Sequence, residues 1–290
     1  MADGDFQGTF PFESRFLDAG EVRLHYVDEG PREARPLLFL HGNPTWSYMW
    51  RRPLAALSAG GHRCIALDHM GFGRSDKPPR LSAYSLQRHI ENALVAIDSL
   101  DLRGVTLVAH DWGGPIGLGA MLERSDRLRG LVLINTWAWE LPSFLPPFLR
   151  EFRTEGLGEI LALGGNLFVE SIPGGMARRD VDPVMMAAYR APFPDYWSRA
   201  GALAFQREIP LTERDRSAPL MASIHDRLSQ LDVPVLLIWG MRDPVFQPVF
   251  VDQWRELFPR AEVVELADAS HFVVEDRPAE VTDAIGRFLR

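Results

Sequence analysis

Short apolar runs recur along the chain at Pro36–Leu40, Arg63–Leu67, Val105–Ala109, Leu131–Ile134 and Pro234–Trp239. Their length and continuous hydrophobicity predict strands buried in a parallel sheet. Helix-like stretches such as Tyr84–Leu100 and Pro115–Arg124 lie between several of them. That alternation is the pattern of a doubly wound α/β fold with right-handed crossovers. Upstream, Glu13–Glu29 holds two extended pieces around Asp18-Ala19-Gly20, which predicts a hairpin on the sheet edge.

From about Asn135 to Asp215 the strand rhythm stops. Helical patches broken by Pro and Gly take its place: LPSFLPPFLREF, GEILALGGNLFVE and VDPVMMAAYRAPFPDYW. The expected organisation is a core domain made of residues 1–135 and 216–290, with residues 136–215 inserted as a helical cap. After the insertion come PVLLIWG, a strand AEVVEL and a closing helix, Ala279–Leu289. No repeat of fixed period and no low-complexity tract interrupts this order.

A chain of 290 residues fits one large domain or one domain with a sizeable insertion. Its net charge is −8 and Lys77 is its one lysine, so it has no basic tract to displace phosphate counterions, and nucleic acid is excluded as an expected partner. Cys64 is the single cysteine, which rules out an internal disulfide, a Cys-rich zinc site and a CxxC redox pair. The segment MADGDFQGTFPFESRF is acidic where a signal peptide is basic and then apolar, and no apolar run approaches the ~18 residues of a membrane span. The expectation is a soluble, cytoplasmic protein without a membrane partner.

The strongest chemical signal is VAHDWGGPIGL, residues 108–118, where an apolar strand runs into a small-x-nucleophile-x-Gly turn and then a helix. Asp111 occupies the nucleophile slot of this elbow, and the small residues Ala109, Gly113 and Gly114 let the helix approach closely. The helix directs its positive end at Asp111 and favours the ionised carboxylate. Asp243 follows in WGMRDPVF, at the carboxyl end of a strand, and His271 follows in ADASHFVVED, on a loop after the last strand. The order nucleophile, acid, histidine is that of α/β hydrolases. Asp243 can hold one imidazole nitrogen while the other accepts a proton from water. HGNPTWSYMWR at 41–51 follows the strand PLLFL, and the backbone N–H groups of Asn43 and Trp112 are candidates for an oxyanion hole. Taken singly, Asp111 reads equally as a helix N-cap, His271 as a loop histidine and Asp243 as a turn former before Pro244.

Together HGNPTWSYMWR, DHMGFGRSDKP, HDWGGPIGL, NLFVE, YRAPFPD, WGMRD and ASHF resemble the haloalkane dehalogenases, from about Pro11 to Leu289. The resemblance implies an α/β-hydrolase fold and hydrolysis of a carbon–halogen bond in a halogenated hydrocarbon. The products are an alcohol, a halide ion and a proton, without metal or organic cofactor. Carboxylate chemistry agrees: attack of Asp111 on saturated carbon leaves an ester, which water activated by His271 opens. The resemblance further implies that Asn43 and Trp112 bind the halide, because the cap position open to a second tryptophan holds Phe168. Asp243 serves as the acid, since INTWAW after the sixth strand offers Asn135 and Thr136 and no carboxylate before Glu140. Asn43, Trp112 and Asp243 in combination resemble the subfamily pairing an Asp-His-Asp triad with an Asn-Trp halide site, whose members often form homo-oligomers.

Phe144, Phe148, Leu149, Phe168, Met176 and Phe205 are candidates for the pocket wall, though each equally suits the core of the cap. Trp137 and Trp139 open the cap and could line a pocket, but bulky aromatics at such positions more often serve packing, and they are left out of the catalytic set. His41 and His110 flank the site and read as braces of its loops. The competing activity is an epoxide hydrolase, which needs cap tyrosines to protonate the ring oxygen; Tyr189 and Tyr196 are the candidates. A noncatalytic small-molecule receptor is the reading from another class.

Overall fold

The computed structural model describes residues 5–141, 147–178 and 180–290. Eight strands form one sheet: β1 (Arg15–Ala19), β2 (Val22–Glu29), β3 (Pro36–Leu40), β4 (Arg63–Leu67), β5 (Val105–His110), β6 (Leu128–Ile134), β7 (Val235–Gly240) and β8 (Glu262–Leu266). Their spatial order is β1-β2-β4-β3-β5-β6-β7-β8. β1 and β2 are antiparallel, β2 meets β4 antiparallel, and every later pair is parallel.

Every residue of β3, β5 and β7 is buried, as expected of strands covered on both faces, while β1 and β8 at the edges carry exposed positions. The hairpin and the apolar runs thus lie where the hydrophobic pattern puts them. Helices Arg51–Ala59, Leu86–Ser99, Gly113–Glu123, Val249–Leu257 and Pro278–Phe288 pack around the sheet. Ser85 caps the second of these through its side chain, which accepts the Arg88 N–H.

Between β6 and β7 the described residues form no strand. They make helices Pro147–Glu151, Leu167–Glu170, Pro183–Arg190, Ala200–Arg207 and Ala218–Leu228, with a π-helical segment at Glu159–Gly164.

The chain leaves β3 towards β4 on one side and returns to place β5 on the other. That reversal opens a crevice at the carboxyl ends of β3 and β5, where doubly wound folds place ligands. Asp111 follows β5 there, and Gly42-Asn43 follows β3.

Candidate active site

The turn after β5 puts Asp111 at φ 50°, a left-handed conformation sparsely used by residues other than glycine. Several contacts hold it there. Its N–H donates to Asn135 O at 3.1 Å, and its carbonyl accepts from Thr136 Oγ1 at 2.5 Å. The next helix presses against β3 so closely that a Cβ on Gly113 would collide with the Leu40 carbonyl. The strained turn presents the Asp111 carboxylate to the crevice, at the positive end of helix Gly113–Glu123.

Two backbone N–H groups meet this carboxylate. Asn43 N–H donates to Oδ1 at 2.8 Å, and the Trp112 N–H also bonds it. Burial pushes the Asp111 carboxyl up to about 6, against the opposing pull of His271 and these two N–H donors. At neutral pH it is an ionised, poorly hydrated carboxylate, the reactive form of this group.

His271 donates from Nδ1 to Asp243 Oδ2 at 2.9 Å, which leaves Nε2 free to accept a proton. Asp243 is only 3% exposed and fully engaged: its Oδ1 takes the N–H of Val245 at 2.7 Å and of Phe246 at 3.1 Å. Burial raises its pKa, but the charge and hydrogen bond of His271, followed by the Val245 N–H and the Asn135 carboxamide, outweigh that and leave Asp243 below its ordinary value. For His271 burial disfavours the charged ring, yet Asp243 and Asp111 prevail and hold it above the usual imidazole range.

Asp111, Asn43, Trp112 and His271 all line one cavity of about 290 Å³. The Asn43 carboxamide lends one hydrogen to the carbonyl of Ala202 on an inserted helix, at 3.0 Å, and this bond fixes which way the amide faces. Leu149 and Phe168 line the cavity as the sequence suggests. Met176 and Phe205 are buried without lining it. Phe205 stands behind Trp112, ring centroids 4.8 Å apart, and stacks on His89 at 4.5 Å, so it supports the wall instead of forming it. Phe144 and the side chain of Phe148 lie outside the described residues.

Several cavity residues lie outside the set that the sequence favours, and Trp137, read there as packing, is one of them. Trp137 forms part of the wall, edge-on to Trp112 at 5.0 Å and stacked on Phe246 at 5.1 Å; Trp139 packs elsewhere, on Trp254. Leu141, Gln206 and Ile209 join from the segment between β6 and β7. Asn135 is a supporting residue that a search for carboxylates passes over: its Nδ2 donates to Asp243 Oδ2 at 2.8 Å and its Oδ1 accepts the Gly240 N–H at 2.8 Å. Its place just past the end of β6, among strand ends that carry function, is the signal that marks it.

His110 braces the site by bonding His271 O at 2.9 Å, and His41 does so by bonding Gly42 O at 2.8 Å. Neither Tyr189 nor Tyr196 lines the cavity. Tyr189 is buried and donates to Glu275 Oε1 at 2.5 Å, while Tyr196 is 40% exposed.

Residues 35–278 match the family model of the alpha/beta hydrolase fold. A cis-3-alkyl-4-alkyloxetan-2-one decarboxylase of Shewanella oneidensis is 39% identical, covering 96% of this chain and 89% of its own. Haloalkane dehalogenase 2 of Mycobacterium tuberculosis is 37% identical over 95% of this chain and 94% of its own. The crystal structure of haloalkane dehalogenase DbeA from Bradyrhizobium elkani superposes with a TM-score of 0.89 at 29% identity, covering 96% and 98% of the two chains. Fold, elbow and sequence kinship converge: the chain belongs to the α/β-hydrolase fold family and, within it, to the haloalkane dehalogenase family.

Proposed function

We propose that this protein hydrolyses carbon–halogen bonds of halogenated alkanes through a covalent ester on Asp111. The observation that carries the reading is a carboxylate at the strained elbow, where a hydrolase of acyl substrates needs a hydroxyl or thiol. Asp111 attacks the carbon bearing the halogen, a carbon–oxygen bond forms, and the halide departs with the bonding electrons. Asn43 Nδ2–H and Trp112 Nε1–H stabilise the developing anion. Nε2 of His271 then takes a proton from water, whose oxygen adds to the carboxyl carbon of the ester. The backbone N–H groups of Asn43 and Trp112, already bonded to the carboxylate, stabilise the tetrahedral oxyanion. Its collapse breaks the bond between the carboxyl carbon and the ester oxygen; the proton on His271 Nε2 passes to that departing oxygen, the alcohol leaves, and the Asp111 carboxyl loses one proton to solvent to return to the carboxylate.

Esterification also tunes the base. In the resting enzyme the Asp111 charge favours protonated His271. Alkylation removes that charge and with it one of the influences that hold the imidazole above its usual range, leaving Asp243 alone to do so, and this shifts the ring towards the neutral base that the second step needs.

In this reading residues 136–215 form a cap that carries Leu149 and Phe168 over the site, and the Asp-His-Asp triad with an Asn-Trp halide pair defines the subfamily. A cytoplasmic, self-associating protein belongs to the same reading and is tested by cell fractionation and sedimentation.

The 39% identity to an oxetanone decarboxylase favours a second reading. Asp111 would open the four-membered ring at the carbon bonded to the ring oxygen, with a carboxylate as the leaving group. Loss of carbon dioxide from that intermediate would return the electron pair as an alkene and expel Asp111, consuming no water. The epoxide reading has less support, because Tyr189 is bonded to Glu275 and Tyr196 faces solvent.

Halide and proton release from chlorinated, brominated and iodinated alkanes, with Asp111→Asn as the control, tests the proposal. Turnover that disappears in the control supports it. Alkene and carbon dioxide from a cis-3,4-dialkyl oxetanone, without halide release from any alkane, would move the protein to the second reading.

A further inference from the structure

The two peptides flanking His271 are anchored by different parts of the molecule. The Ser270 N–H donates to Asp276 Oδ2 at 2.9 Å, and the Phe272 N–H donates to Gly175 O at 3.2 Å. Gly175 lies in the helical segment inserted between β6 and β7, whereas Asp276 lies one helical turn beyond the histidine. The two anchors converge on one carboxylate. Asp276 also accepts the Ala177 N–H, at 3.0 Å from Oδ1 and 2.9 Å from Oδ2, and the Arg178 N–H at 3.2 Å from Oδ1.

Asp276 is 5% exposed and does not line the cavity, so it has no contact of its own with a substrate. Its two oxygens take N–H groups from the histidine loop on one side and from the inserted segment on the other. Hydrogen bonds to an ionised acceptor are stronger than neutral ones, and here they point in fixed directions. The approach at Gly175 is equally tight: a Cβ there would lie 2.7 Å from the Phe272 ring and 3.8 Å from His271 Cβ. The neighbouring Glu275 reinforces the junction, accepting from Tyr189 of the inserted segment and from Arg51 of the sheet domain.

We propose that Asp276 is a positioning residue: it ties the inserted segment 175–178 to the His271 loop and so holds the imidazole in place for proton abstraction. The kinetic consequence rests on the two-step reaction proposed above. Attack by Asp111 needs no base, whereas hydrolysis of its ester needs Nε2 correctly aimed. Loosening the tie therefore slows the second step and spares the first.

The test compares Asp276→Asn and Gly175→Ala, which disturb the junction from opposite sides, with Ile160→Ala on the exposed cap surface as the control. A bromoalkane is mixed with each protein, and burst halide release, steady-state halide release and the mass of intact protein are recorded. The expected result in Asp276→Asn, whose side chain lies off the cavity, is a burst rate within about twofold of the parent; Gly175 itself lines the cavity, so its variant is read by how much further the steady state falls than the burst. Steady-state turnover falls by about tenfold or more, because a misplaced base loses its near-attack geometry, and the alkylated protein accumulates. Burst and steady state falling together, or neither changing, would overturn the proposal. Should Asp276→Asn fail to fold, Gly175→Ala decides, since it keeps the carboxylate. If the parent itself releases no halide, the reaction reading fails and the junction is judged separately, from the downfield NMR signal of the His271 Nδ1 proton. A shifted or broadened signal in the variants supports the tie; an unchanged one overturns it.

Discussion

Asn135 donates its carboxamide N–H to Asp243 Oδ2 at 2.8 Å, joining the end of β6 to the carboxylate that follows β7. The same side chain accepts the Gly240 N–H and donates to the Gly240 carbonyl at 3.2 Å, so it closes the gap between two adjacent strand ends. Asp243 therefore faces His271 with both oxygens already committed.

Replacing Asn135 by alanine should expose that dependence. Asp243 and Gly240 lose partners in a fully buried place, a cost of about 1–3 kcal/mol in stability. Turnover should fall by about tenfold with KM nearly unchanged, the mark of a lost support to the catalytic group. Thermal melts and steady-state kinetics measure the two effects. A raised KM with intact turnover would contradict this placement.

His271→Phe should separate the two half-reactions. Asp111 still attacks, so one equivalent of halide is released and the intact protein gains the mass of the alkyl group. Turnover then stops, because nothing takes the proton from water. On an oxetanone the same variant should keep turning over, since decarboxylation consumes no water. Mass spectrometry together with gas analysis distinguishes the outcomes.

The pH dependence of kcat/KM should show an acid limb near 6. Burial raises the Asp111 carboxyl to about that value, and only the ionised form attacks. Below this point the rate should drop tenfold per pH unit, as protonation removes the nucleophile. A profile flat down to pH 4.5 would mean that the resting carboxylate is better stabilised than this site allows.

Four buried histidines set the acid stability. Burial lowers His41 to about 4, His89 and His110 to about 3, and His69 well below its usual value. Unfolded histidine takes a proton near 6.5, so between there and the folded values the unfolded chain binds protons that the folded chain refuses. Stability accordingly falls as pH drops below about 6.5, by up to ~1.4 kcal/mol per histidine per pH unit. Against a total of about 5–15 kcal/mol, the melting temperature should already drop steeply between pH 6 and 5. A decline starting only below pH 4 would assign acid unfolding to carboxylates instead.

Glu275→Gln should be more damaging to stability than Tyr189→Phe. The first leaves the Arg51 guanidinium, 5% exposed, without its bidentate partner, a loss of about 3–5 kcal/mol. The second removes one hydrogen bond to that carboxylate, about 1.5–3 kcal/mol. Calorimetry of the two variants orders them.

Most of the sheet was legible in one dimension, because strands buried on both faces must be apolar throughout. Pro36–Leu40 and Arg63–Leu67 coincide with β3 and β4 for that reason. Asp111 was equally legible: a strained turn between strand and helix requires small residues at fixed offsets, and those offsets mark the residue between them. The partnership of His271 with Asp243 followed from chain order.

The cavity wall was not legible in the same way. An aromatic residue in a helical segment carries the same local signal whether it faces a ligand or its neighbours. Only the packing of the inserted helices put Phe168 on the wall, Phe205 behind Trp112, and Trp137 beside them. Asn135 and Asp276 went unmarked because they act through backbone N–H groups and side chains up to 108 residues away. The sequence by itself determined which strands form and which side chains can react, since both depend on residue type at short range. The tertiary structure alone decided what surrounds and steadies them, because those contacts exist only after distant segments have packed together.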